Sequence, residues 1–160
     1  MTGSLARRKL ARYMAGAQPM DWVHLFTSFE GRISRQPFWI ALTAFIAIDI
    51  GSMLTIENDR WSAVFDLVMT YPQFAVCAKR GHDRNTPTWV VGLFFALGVV
   101  FDLMILGGWI TKDLRNPTPL VYAFVVPFLV LGLAIIIDFG FRRGTVGPNR
   151  YGPDPLDAGT

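Results

Sequence analysis

Cysteine is nearly absent from this chain, with Cys77 alone among 160 residues. A single thiol excludes an internal disulfide and a multi-cysteine metal site, and near the end of an apolar run it reads as a small buried residue. Histidine is almost as scarce, with only His24 and His82, too few for a histidine-built metal centre. Net charge is low at +3, and the basic residues come in short clusters, which argues against nucleic acid as a partner. A cleavable signal pattern is also missing, because Arg7-Arg8-Lys9 is not followed by an uninterrupted apolar core. The first spanning segment is therefore expected to act as the membrane signal. What is abundant is apolar side chain: 52% of residues are hydrophobic and mean hydropathy is +0.36. That exceeds what a soluble core of this size requires and points to lipid as the solvent.

The apolar residues fall into four runs, so the expected fold is an all-α polytopic membrane protein with four transmembrane helices. The spans are placed at 37–56, 61–78, 89–110 and 120–140. The first holds about 20 residues, or about 30 Å of helix, enough for the hydrocarbon core. The second is the weakest, carrying Asp66, Pro72 and Gln73, and is expected to insert as a hairpin with the first, kinked near Pro72. The third is strong, with thirteen Val, Ile, Leu and Phe residues. The fourth has Pro127 in its first half.

Residues 1–20 form a basic extension with Leu5, Ala6, Leu10, Tyr13 and Met14 on one helical side. They read as an amphipathic surface segment or as a disordered arm, with Met20 an alternative initiator. Residues 21–155 make up the membrane domain and 156–160 a disordered tail. Between Trp22 and Trp39, aromatic residues alternate with charge, as at a membrane interface. Lys and Arg set the orientation. Arg7, Arg8, Lys9, Arg12, Arg32, Arg35, Lys79, Arg80, Arg84, Arg142, Arg143 and Arg150 fall on one side and only Arg60, Lys112 and Arg115 on the other. The basic side is expected to be cytoplasmic, with both termini inside.

Three motifs stand on the basic side. They are Phe29-Glu30-Gly31-Arg32-Ile33-Ser34-Arg35 followed by Phe38-Trp39, Lys79-Arg80-Gly81-His82-Asp83-Arg84 with Trp89, and Gly144-Thr145-Val146-Gly147-Pro148-Asn149-Arg150-Tyr151-Gly152-Pro153-Asp154-Pro155. In order and spacing they resemble the bacterial membrane family called domain of unknown function 805. The resemblance implies a small polytopic inner-membrane protein and supplies no catalytic residue or cofactor. Gly81 stands where family members usually carry a large aliphatic, so the connector 79–89 is expected to be held less firmly.

Two candidate sites follow. Arg32, Arg35, Arg80, His82, Asp83, Arg84, Arg142, Arg143, Asn149 and Arg150 gather near helix ends on the basic side. Guanidinium binds phosphate bidentately while its stem packs on lipid, so this face is expected to take an anionic lipid headgroup or a membrane partner. Glu30, Asp83 and Asp154 among the arginines also suit ion pairs that tie the three segments together, and Asp138 suits an i,i+4 pair with Arg142. A lipid-modifying reading centred on His82 and Asp83 lacks the ligands of a metal site, and adjacent helical residues point about 100° apart. The second candidate is intramembrane: Asp49, Asp66 and Asp102 fall in the outer half, where carboxylates are expensive unless they face a bundle interior or water. They suit a proton or cation path. A small-residue stripe, Thr43, Ala47 and Gly51, permits close helix contact, in the bundle or in a homo-oligomer.

Overall fold

The computed structural model describes residues 21–111 and 117–156. The basic extension 1–20, the polar turn with Lys112 and Arg115, and residues 157–160 lie outside them. Apart from one isolated bridge between Asn149 and Gly152, the regular structure among the described residues is helical. The helices are α1 (Trp22–Thr27), α2 (Arg35–Thr55), α3 (Asp59–Asp83), α4 (Thr88–Leu106) and α5 (Pro119–Ile135), and α5 runs on as a π-helix over Ile136–Phe141.

Three of these are long and apolar enough to cross a membrane: Arg35–Thr55, Thr88–Leu106 and Pro119–Phe141. The weak second span falls on α3, which at 25 residues is long enough but not apolar enough to stand with the other three. Its place in the bundle accounts for this. Helix α3 packs against α4, α2, α1 and the π segment, and Ala63, Ala75, Ala78 and Gly81 along it are buried. A helix shielded on several sides needs small residues for close approach more than a continuous apolar coat.

Local chemistry sets the helix ends. The Asn58 side chain accepts from the N–H of Arg60 and Trp61, capping α3. Pro37 lies in the first turn of α2, where its missing N–H has no intrahelical acceptor to lose. Pro72 and Pro127 lie inside α3 and α5, and both helices continue through them.

The principal correction concerns the connector. Lys79–Asp83 is not a loop but the last turns of α3, and all five residues are buried. Only Arg84–Pro87 links α3 to α4. Nor does Gly81 loosen the segment: a Cβ there would meet the Phe139 ring and Val91 at 3.3 Å. Glycine is what lets α4 and the end of the π-helix close on α3.

Leu25, Phe38, Ala41, Phe45, Val76, Val91 and Phe139 form the core at this end of the bundle, and Ala63, Ile105, Ile110 and Val121 form a second cluster. On α2, Thr43 and Ala47 are exposed and Gly51 has open space around it. The small-residue stripe is uncovered in the single chain.

Candidate functional site

At the core of the arginine-rich end is one carboxylate between two guanidinium groups. Asp83 Oδ1 accepts from Arg32 Nε at 3.1 Å and Nη2 at 2.9 Å. Its Oδ2 accepts from Arg80 Nη1. The three side chains are 1 to 4% exposed. Arg32 also donates from Nη2 to Thr145 O and from Nη1 to Gly147 O and Gly152 O, so all five of its N–H groups are engaged. Among the described residues no buried side-chain polar atom lacks a partner. The burial cost of these charges is thus met with fixed hydrogen bonds.

Arg80, with Arg35, Arg84 and Trp39, also finishes the last helix. A helix terminus leaves carbonyls without intrahelical donors, and here five successive ones are taken by side chains from elsewhere. Phe139 O accepts from Arg80 Nε, Gly140 O from Trp39 Nε1, Phe141 O from Arg35, Arg142 O from Arg80 Nη2, and Arg143 O from Arg84. Cationic donors also suit the negative end of a helix. Asp138 pairs with Arg84 at 3.2 Å and with Arg142 at 3.1 Å.

The motif after Arg143 wraps over this knot. Asp83 O accepts from Thr145 N and Oγ1, and Asn149 Nδ2 donates to His82 O and Thr145 Oγ1. The His82 ring stacks on Tyr151 at 3.8 Å between centroids and 6° between planes, with Arg150 over Tyr151 at 4.7 Å. His82 Nδ1 lies 3.1 Å from Gly31 O, which fixes Nδ1 as the donor and leaves Nε2 to accept from Thr88 Oγ1 at 2.7 Å. Burial pulls its pKa down; the bond to Gly31 opposes this, and Arg150 and Lys79 add to it. Asp154 accepts the N–H of Leu156 and Gly147, which holds its carboxyl below the usual range.

Of the expected arginine-face residues, Arg32, Arg80, His82, Asp83, Arg84 and Asn149 meet in the knot. Arg35, Arg142, Arg143 and Arg150 lie at its exposed rim. Glu30 is exposed, and the knot closes without it. His82 and Asp83 point to different partners, and no group of three His, Cys, Asp or Glu among the described residues could hold a metal ion. Lys79 is a residue that the sequence reading passed over. Its buried Nζ donates to His24 O and Leu25 O, holding α1 against α3. Burial draws its pKa down to about 8, opposed by Asp21.

The carboxylates expected within the membrane also converge. Asp49 of α2, Asp66 of α3 and Asp102 of α4 line one cavity of about 630 Å³. All lie within about two turns of the helix ends opposite the knot. Asp49 accepts from Gln73 Nε2 at 3.1 and 3.3 Å, and Asp102 is 6% exposed. Ser52, Ser62 and Thr70 add polar lining, Glu57 and Asp59 add further acids, and Phe95, Phe101, Phe124 and Phe128 supply aromatic wall. Gln73, read from the sequence only as weakening the second span, is what joins α3 to Asp49 of α2.

Comparison with known proteins agrees with these motifs. The chain is 33% identical over 138 residues to the uncharacterized protein YiiR of Escherichia coli K12, covering 81% of this chain and 87% of YiiR. It is 24% identical over 149 residues to the inner membrane protein YhaH of the same organism, covering 85% of this chain and 97% of YhaH. No solved structure matches. The model of a protein family of unknown function, DUF805, matches residues 26–153, which takes in all the described helices but the start of α1, and the chain belongs to that family.

Proposed function

We propose that this chain is an integral inner-membrane protein that takes up protons or a small cation through the cavity lined by Asp49, Asp66 and Asp102, with both termini in the cytoplasm. The inner-membrane setting is supported by the apolar helices and by the likeness to YhaH, and the orientation by the Lys and Arg distribution. The observation that carries the cavity reading is that carboxylates from three helices line one space. Ionisable side chains at membrane depth are costly and mark ion or proton paths.

The alternative, an arginine face that binds anionic lipid or a membrane partner, narrows on this structure. The Arg32 donors are engaged internally, Arg80 is buried, and Arg150 donates to Asn85 O and lies over Tyr151, which leaves that role to Arg35, Arg142 and Arg143.

The test is flux into proteoliposomes carrying a trapped pH dye under an imposed potential, repeated with sodium and potassium gradients. Wild type is expected to conduct above empty vesicles. Asp49→Asn and Asp102→Asn should each reduce the rate at least tenfold while eluting as folded protein. A wild type that passes neither protons nor these cations overturns the reading.

A further inference from the structure

The knot leaves one surface unused, where α2 begins and α5 finishes. The π-helix turns Phe139 and Gly140 inward and leaves Phe141 66% exposed. Phe141 meets the Trp39 ring edge-on at 5.4 Å, and the Trp39 indole is pinned by its bond to Gly140 O. The two rings form a fixed aromatic ledge. Next along the chain, the Arg142 side chain is 67% exposed, and Arg143 is exposed too. Arg35, also exposed, donates one N–H to Phe141 O at 3.2 Å, which holds its guanidinium beside the ledge. Two acids lie near this set, Asp138, which Arg84 and Arg142 share, and Asp154, which lines one pocket with Arg35 and Arg143, so positive charge remains in excess. Beside the ledge the surface is aliphatic, with Ile40, next to Trp39, 46% exposed and Ile137, four residues before Phe141, 49% exposed.

Guanidinium, then aromatic, then aliphatic, in that order along two membrane helices, is the polarity profile of a phospholipid. We propose that Arg35, Arg142 and Arg143, with the Trp39–Phe141 ledge, form a binding site for an anionic phospholipid. The guanidinium groups take its phosphate through charge-assisted hydrogen bonds. The rings pack on the glycerol and ester region, where aromatic residues settle in membranes, and an acyl chain lies along Ile40 and Ile137. A soluble phosphate would gain the charges but nothing from the ledge. The site lies at the opposite end of the bundle from the acidic cavity and does not depend on it.

Native mass spectrometry of delipidated protein tests this, titrated with phosphatidylglycerol or with phosphatidylcholine of the same chains. Wild type is expected to retain at least tenfold more phosphatidylglycerol. The double variant Arg142→Gln/Arg143→Gln should lose that preference. It leaves the knot standing, because Arg80 and Arg84 bind the backbone carbonyls of those residues and not their side chains. Arg150→Gln, an exposed arginine over Tyr151, should retain the preference. Phe141→Ser keeps the charges and should lower retention severalfold. Equal retention of the two lipids by wild type overturns the site, as does an intact preference in the double variant. Undiminished retention by Phe141→Ser overturns the aromatic ledge as part of the site.

Discussion

Asp83→Asn tests whether the knot holds the fold together. The substitution keeps the size of the side chain and removes the one negative charge between Arg32 and Arg80. Their side chains are each 1% exposed, so solvent cannot replace it. The amide keeps one acceptor oxygen in place of two, so its N–H would face either the Arg32 or the Arg80 guanidinium. Removing one partner of a buried pair costs about 3–5 kcal/mol, because the other charge stays buried. The Asp83 carbonyl still holds Thr145, so the loss is confined to the carboxylate. Reversible unfolding in mixed micelles, followed by tryptophan fluorescence, gives the free energy. Adding Arg32→Met closes a double-mutant cycle, in which the pair should be less destabilised than the sum of the singles. A loss below about 1 kcal/mol, the range of exposed pairs, would refute a buried structural role for Asp83.

Two further expectations follow from the same end of the molecule. Gly144→Ala places a Cβ inside the contact distance of the Asp83 carboxylate, so it should cost about 1–3 kcal/mol or more in the same unfolding assay; a neutral result would mean that the 144–145 segment is displaced from Asp83. Lys79 has a folded-state pKa of about 8 against 10.5 for the free side chain. The unfolded chain therefore holds the proton more tightly, and burying the charge costs up to about 3 kcal/mol below pH 8. That cost is relieved as pH rises from about 8 to 10.5, so the stability of wild type relative to Lys79→Met should climb across this window. A difference that stays flat with pH would show that folding leaves the Lys79 pKa unshifted.

The helices were legible in the sequence wherever apolar residues run on. The expected span 120–140 lies within one residue of Pro119–Phe141 at each end, and 89–110 overruns α4 by four residues, through the Gly107-Gly108 turn to Ile110. The misread stretch was Lys79–Asp83. Four charged or ionisable side chains around a glycine read as a surface loop, since such groups are rarely buried unpaired. The partners that make burial possible are Arg32, 51 positions before Asp83, and carbonyls 59 and 62 positions after Arg80. No local pattern encodes such pairings. The acidic cavity was half legible: one carboxylate per span can be counted, but convergence depends on how each helix is rotated, and spacing within one helix leaves that open.

That rotation is where the two ends of the molecule are joined. Helix α3 carries Arg80 and Asp83 in the knot and Asp66 and Gln73 in the cavity, on one continuous helix. From Asp83 to Asp66 is about 25 Å of helix axis, and each residue along it turns the next side chain by about 100°. Clamping one end of such a rod by Arg32, the 144–152 segment and the π-helix carbonyls therefore fixes which way its far end faces. The motif residues that carry the family resemblance need not touch any ligand to matter for the cavity, because they set the register in which Gln73 meets Asp49 and in which Asp66 and Asp102 share one space.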